Sequence, residues 1–277
     1  MIQASPFGKG QFLQLQSATS VPISRALSLE PKTRLKQAGA LLFRGFDVDL
    51  ETFSTFVGLL SSRLDQDSLR QHFAKGVQKV DAGLDSVGLH CENGKDLATP
   101  DLCWFYCAKA AGMGSQTTLC DGYRVWDALS GDTQKAFKKA NIKYCRTLPP
   151  SVWKNYIFHE RPEYNLNNPD EIGLTHLQQF HANIENLEWR LNDDLSLYTE
   201  HYAPAAHPTL FGTRLAFANN IFSPSFNVGK PQTLWANGEP LAPSIIQEIT
   251  QVTGEMTEEV EWQDNDVLLI DNSRVMH

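Results

Sequence analysis

Two short segments far apart in the chain carry the side chains best suited to chemistry. They are Gly88-Leu89-His90-Cys91-Glu92 and Asp271-Asn272-Ser273-Arg274-Val275-Met276-His277. The first offers an imidazole and a carboxylate two residues apart. On a β-strand, residues i and i+2 share a face. A strand through His90, Cys91 and Glu92 would therefore aim both donors at one ion and turn Cys91 away. The second segment adds an imidazole after the apolar run Asp266-Val267-Leu268-Leu269-Ile270. Two His and one carboxylate on one side of an ion leave the opposite side open, which is the donor set of non-haem Fe(II) oxygenases.

The elements that must position these donors can be read from periodicity. Residues 31–38 read as helix, and Ala40-Leu41-Leu42-Phe43-Arg44-Gly45-Phe46 as a buried strand ended by glycine. Phe53, Phe56, Val57 and Leu60 recur at helical spacing. Strands are expected at Leu102-Cys103-Trp104-Phe105-Tyr106-Cys107, at Gln116–Cys120 and at Ile142–Cys145, with short helices over 125–129 and 132–140. Further strands are expected over 186–191, 213–219, 260–262 and 267–270, and a helix over 245–252. Residues 62–86 read as a polar excursion. Residues 149–175, with Pro149, Pro150, Pro162 and Pro169, read as a loop-rich segment. Both are expected to act as lids over a site. Many short strands with flanking helices predict a mainly β sandwich or barrel, occupying 1–277 as one domain.

Composition bounds the function classes. The chain has 277 residues, 42% of them hydrophobic and 20% charged, as in a globular protein. A net charge of −8 disfavours nucleic-acid binding. There is no long apolar run for a membrane span and no basic-then-apolar leader. Five cysteines without a Cys-x-x-Cys pair disfavour a disulfide framework or zinc ribbon. A cytoplasmic protein acting on a small molecule, with no membrane or nucleic-acid partner, is the expectation. His159, His176, His181, His201 and His207 fall in no ligand pattern and read as surface or supporting residues. Asn219-Asn220 reads either as facing a substrate or as a turn.

The motifs taken together resemble the TauD/TfdA family of Fe(II)/2-oxoglutarate-dependent oxygenases, in particular the branch that includes clavaminate synthase. The resemblance covers about residues 38–277. It rests on "GALLFRGF" near the start, His90-x-Glu92, the aromatic strand, Gly114-Ser115-Gln116-Thr117 with Asp121, and Trp262-x-x-Asn265-Asp266 followed by Asp271-Asn272 and His277. Ser115 and Asn265 stand where the family has glycine.

The resemblance implies a distorted double-stranded β-helix, a jelly-roll relative. It implies His90, Glu92 and His277 as ligands of Fe(II). It also implies 2-oxoglutarate and O2 as cosubstrates, with Thr117 helping to hold the distal carboxylate of 2-oxoglutarate. The family places a cosubstrate-binding arginine about a dozen residues beyond the distal His. The sequence ends at His277, so the expectation is a longer polypeptide, with Arg274 as the candidate inside the sequence given. The implied reaction oxidises a C–H bond of a small substrate, an amino acid or amino-acid-derived intermediate, by hydroxylation or desaturation. Glu92 leaves no room for a halide ligand. Two other readings stay open: a jelly-roll binding protein without catalysis, and a Zn-dependent hydrolase using the same ligands.

Overall fold

The apolar run that follows Asp266 forms a strand with no exposed face, and the architecture follows from covering it. The structure, a computed structural model, describes residues 1–9, 11–64, 72–74, 76–80, 87–94, 99–222 and 231–277. A hairpin of β1 (Ile2–Phe7) and β2 (Phe12–Ser17) opens the chain. Helix α1 (Pro31–Ala38) follows, with proline in its first turn and Gly39 at φ 78° closing it. After β3 (Ala40–Arg44) comes α2 (Leu50–Leu60), started by Asp49, whose carboxylate accepts the Thr52 N–H. The hairpin β4 (His72–Ala74) and β5 (Val77–Gln78) precedes β6 (Leu102–Cys107) and β7 (Thr117–Asp121). Helices α3 (Gly122–Ala128) and α4 (Gly131–Lys139) lead to β8 (Ile142–Leu148), then α5 (Pro150–Glu160) and α6 (Leu174–His181). Strands β9 (Leu187–Leu191), β10 (Leu197–Ala203), β11 (His207–Thr209), β12 (Gly212–Ala216) and β13 (Gln232–Trp235) follow. Helix α7 (Pro243–Met256) then leads to β14 (Glu258–Val260), β15 (Asp266–Asp271) and β16 (Val275–Met276).

Strand β15 sits inside a five-stranded sheet of order β1-β2-β3-β15-β6, opposite a three-stranded sheet of order β14-β7-β16. It pairs antiparallel with β3 and β6, so that Leu268 lies across from Leu42 on one side and Phe105 on the other. Leu268 and Ile270 pack with Ala40, Leu42, Leu119, Val260 and Val275, side chains drawn from both sheets. Val267 and Leu269 pack on the other face with Leu41, Phe43, Phe53 and Phe56 beneath α1 and α2. A strand buried on both faces reads as a continuous apolar run rather than an alternating one. The two-sheet core is the expected jelly-roll arrangement.

A third sheet, of order β13-β8-β10-β9, carries α5 and α6. Trp153, Ile157, Leu177 and Phe180 of the helices bury Leu148 and Leu197 of the strands. This corrects the loop-rich reading of 149–175. Pro150 occupies the first turn of α5, and Pro162 and Pro169 each open a 3-10 turn. Proline is tolerated there because the first helical N–H groups have no partner inside the helix. The prolines punctuate helices and do not abolish them. The reading of 62–86 falls largely outside the described residues. Among the described residues no helix is long and apolar enough to cross a membrane.

The other face of the third sheet holds a charge network. The Tyr198 and Tyr202 hydroxyls each donate to Glu200 at 2.7 Å, and Lys143 Nζ donates at 3.0 Å. Burial raises the Glu200 carboxyl, but the Tyr202, Tyr198 and Lys143 donors outweigh it and bring the pKa down to about 2. A carboxylate held below its unfolded value of about 4.3 stabilises the fold above that pH and loses the contribution as pH falls toward 2. Glu200→Gln should therefore shrink the stability difference between pH 7 and pH 3. Denaturant midpoints at the two pH values would show it, and an unchanged difference would refute the assignment.

Candidate metal centre

The donor atoms of His90, Glu92 and His277 lie within 4.8 Å of one another. His277 Nε2 is 3.6 Å from Glu92 Oε2, and the two imidazole rings are 4.4 Å apart at 49°. The 3.6 Å gap is too long for a hydrogen bond. It can be spanned by an ion about 2.0–2.2 Å from each atom.

The strand expected through His90 does not form; residues 87–94 have no strand structure. His90 pairs with distant backbone, its N–H donating to His277 O at 2.9 Å and its O accepting from His277 N–H at 2.8 Å, and within the segment Gly94 N–H donates to Cys91 O at 3.1 Å. The next two residues bond to side chains. Cys91 N–H donates to Asn220 Oδ1 at 3.1 Å, and Asn220 Nδ2 donates back to Cys91 O at 3.0 Å. Glu92 N–H donates to Asn272 Oδ1 at 2.8 Å, and Asn272 Nδ2 donates to Glu92 O at 3.1 Å and to Pro100 O at 2.8 Å. Cys91 is nonetheless turned away from the other two, packed with Cys120, Val125 and Met276, and its burial raises the thiol far above its ordinary range. It is an inert core residue.

Each imidazole is prepared differently. His90 Nδ1 donates to Gly88 O at 2.9 Å, because a carbonyl can only accept, and this leaves the Nε2 lone pair for a ligand role. The His277 ring is 5.3 Å from Phe105, edge to face, and both its nitrogens are buried with no hydrogen-bond partner among the described residues. A buried unpaired nitrogen costs about 1–3 kcal/mol. A metal ion would give Nε2 its partner, so the donor set fits Fe(II) on the structure's own chemistry.

Strand β15 and the turn after it deliver His277. Arg44 binds Asp266 through Nε at 3.1 Å and Nη2 at 2.6 Å at the start of the strand. At its end Asp271 accepts from Ser273 N at 3.1 Å and from the Ser273 hydroxyl, while Arg274 N–H donates to Asp271 O at 3.0 Å. Thr117 lies on β7 opposite Val260 and shares a face with Leu119, which enters the core between the two sheets. Its hydroxyl accepts the Trp262 indole N–H at 3.1 Å. The hydroxyl's own proton remains for another acceptor.

Arg274 is placed otherwise than expected. Its Nε and Nη2 hold Asp121 at 3.0 and 2.6 Å, and Nη1 donates to the carbonyls of Lys36 and Gln37 at the end of α1. Its guanidinium also stacks 4.5 Å from the Tyr123 ring. These bonds give Arg274 a structural role. Among the described residues no second cluster of three metal-binding side chains occurs. A cavity of about 520 Å³ lies between α5, α6 and β10, lined by Tyr156, Glu160, Arg161, Phe180 and His201 and not by the three candidate ligands.

Comparison with known proteins now decides the family. The model of the "Taurine catabolism dioxygenase TauD, TfdA family" matches residues 5–277. The chain belongs to the TauD/TfdA family. The dapdiamide synthesis protein DdaC of Enterobacter agglomerans is 28% identical over 121 residues, covering 41% of this chain and 37% of that protein. The chain therefore matches little more than a third of that relative's length. Among solved structures, PvcB from Pseudomonas aeruginosa is similar with TM-score 0.61 and 13% identity over 100% of this chain and 84% of that one. A second PvcB structure, described as an Fe, alpha-ketoglutarate dependent oxygenase from an isonitrile synthetic pathway, has TM-score 0.57 and 12% identity over 100% and 85%. At such identities the likeness is one of fold. Ser115 and Asn265, which replace the family's glycines, both adopt left-handed backbone, at φ 62° and 68°. The turns are kept with residues that tolerate that region less well than glycine.

Arg274→Met would leave Asp121, which is 3% exposed, without its counter-charge. The expected loss is about 3–5 kcal/mol. Denaturant unfolding measures it, and a loss under about 1 kcal/mol would mean that Asp121 finds another partner.

Proposed function

We propose that His90, Glu92 and His277 hold Fe(II), and that the protein oxidises a C–H bond of a small substrate at the expense of 2-oxoglutarate and O2. The observation that carries this is the convergence of the three donors within 4.8 Å in a chain of this family. Bound Fe(II) supplies the oxidative decarboxylation of 2-oxoglutarate to succinate and CO2, coupled to oxidation of the substrate. The protein's own residues supply the rest. The Gly88 carbonyl fixes the His90 tautomer, and Phe105 holds the plane of His277. Thr117, steadied by Trp262, faces the interior and is proposed to donate its hydroxyl proton to the distal carboxylate of 2-oxoglutarate. The substrate is proposed to be an amino acid or an amino-acid-derived intermediate of a biosynthetic pathway. The relatives named for dapdiamide synthesis and an isonitrile synthetic pathway support a biosynthetic role. Helices α5 and α6, with the cavity beneath them, are proposed as the substrate's cover.

Anaerobic Fe(II) with 2-oxoglutarate should give the wild-type protein a weak visible charge-transfer band, which Zn(II) in the same ligands cannot give. His90→Ala should lose both the band and succinate formation while remaining folded; retention of either would refute the ligand assignment.

Thr117→Val should weaken 2-oxoglutarate binding roughly ten- to a hundred-fold, since a hydrogen bond to a charged group is worth about 1.5–3 kcal/mol. The KM for 2-oxoglutarate reads this, and an unchanged KM would remove Thr117 from the site.

A further inference from the structure

Two of the three proposed ligands sit on a segment that no sheet supports, yet three consecutive residues of it have both N–H and C=O bonded to outside groups. His90 exchanges both bonds with the His277 backbone, Cys91 with the Asn220 side chain and Glu92 with the Asn272 side chain. A primary carboxamide presents the same acceptor and donor as a peptide group. The two asparagines therefore take the place of a missing neighbouring strand, one residue each.

Both carboxamides are built into the core. Asn220 is 4% exposed and Asn272 1%. Buried amides are retained where their bonds are made, and these two make them to the ligand segment. Asn220 is itself fixed, since its backbone N–H donates to the Tyr144 hydroxyl at 3.0 Å. Asn272 follows directly on β15, its backbone N–H donating to Asp101 O at 3.0 Å. The packing tolerates no intrusion: a Cβ on Gly94 would stand 2.3 Å from Asn220 Oδ1.

We infer that Asn220 and Asn272 are positioning residues for the metal. They set the separation and orientation of His90 and Glu92 against His277 without touching the ion. The inference rests on the proposed metal reading. It assigns the geometry of the site to two amides from different parts of the chain: Asn272 ties the Glu92 peptide to the central strand, and Asn220 ties Cys91 to the segment after β12. With either amide gone, the segment loses the two bonds that fix one peptide next to a proposed ligand and is held by the other amide and the His90 pairing. Glu92 can then swing away from His277 although every ligand is still present.

Co(II) titration of the purified protein tests this without turnover, because its visible d–d bands report coordination geometry. Wild type should bind one Co(II), and His90→Ala should not. Asn220→Ala and Asn272→Ala should bind about 10–100-fold more weakly, as loss of groups that orient ligands typically does, with altered d–d bands. Gly94→Ala keeps every ligand and both amides but displaces the Asn220 carboxamide; it should give the same loss and serves if an asparagine variant fails to fold. Folded variants with wild-type affinity and spectrum would overturn the positioning role alone. A wild-type protein that takes up no Co(II), or a His90→Ala variant that binds normally, would overturn the triad and this inference with it.

Discussion

Everything at the candidate centre depends on one strand being apolar on both faces. Val267 and Leu269 enter one core, Leu268 and Ile270 the other, and all four are fully buried. At roughly 1.5–3 kcal/mol for each large aliphatic side chain buried, this strand is held far more firmly than a surface loop could be. A one-residue slip would exchange the two sets and leave both cores mispacked. The end of β15 is therefore a fixed point, and the turn from Asp271 to Arg274 projects from it. His277 inherits its position from that rigidity, and Asn272 carries the same rigidity across to Glu92.

Two buried carboxylates near the ends of β15 are each paired with an arginine. Arg44 answers Asp266 at one end of β15, and Arg274 answers Asp121 just beyond the other, with partner side chains no more than 15% exposed. Buried pairs of this kind contribute little net stability against apolar residues of like size, but breaking one is costly. Their value here is directional. Arg274 joins the end of α1, the start of α3 and the backbone three residues before His277. It locks the backbone leading to His277, whose imidazole has no hydrogen-bond partner among the described residues. The contrast is chemical: the Arg274 guanidinium is bonded to Asp121 and to the carbonyls of Lys36 and Gln37, and the candidate ligand ring is not so bonded.

The same contrast explains what could be read from the sequence. The double-faced strand was legible because its pattern is continuous, and so were Ala40–Phe43, α2 and β6, where periodicity and burial agree. The family motifs singled out His90, Glu92 and His277, whose donor atoms the fold brings within 4.8 Å of one another. The strand assigned to His90 failed because period-two reasoning presumes a neighbouring strand, and here side-chain amides do that work. No local pattern distinguishes an asparagine that pairs with a distant peptide from one that makes a turn. Asn219 does make such a turn, accepting from Ile221 N at 3.1 Å, while its neighbour Asn220 holds the ligand segment. Proximity in sequence to His277 says nothing about the direction of the Arg274 side chain, which runs back to Asp121. The prolines of 149–175 misled because proline marks the first turn of a helix as readily as a loop.

The division between cores separates the candidate centre from the helical layer. The two cores that fix β15 share no residue with the core formed by α5, α6 and their sheet. The cavity beneath α5 and α6 is lined by side chains of the second group and by residues flanking it, with none from the first. Substitutions at Tyr156, Phe180 or His201 can therefore reshape that space without disturbing the packing that positions His277. Effects of mutations that share no contacts generally add. The packing around β15 and the helical layer of α5 and α6 can therefore change independently.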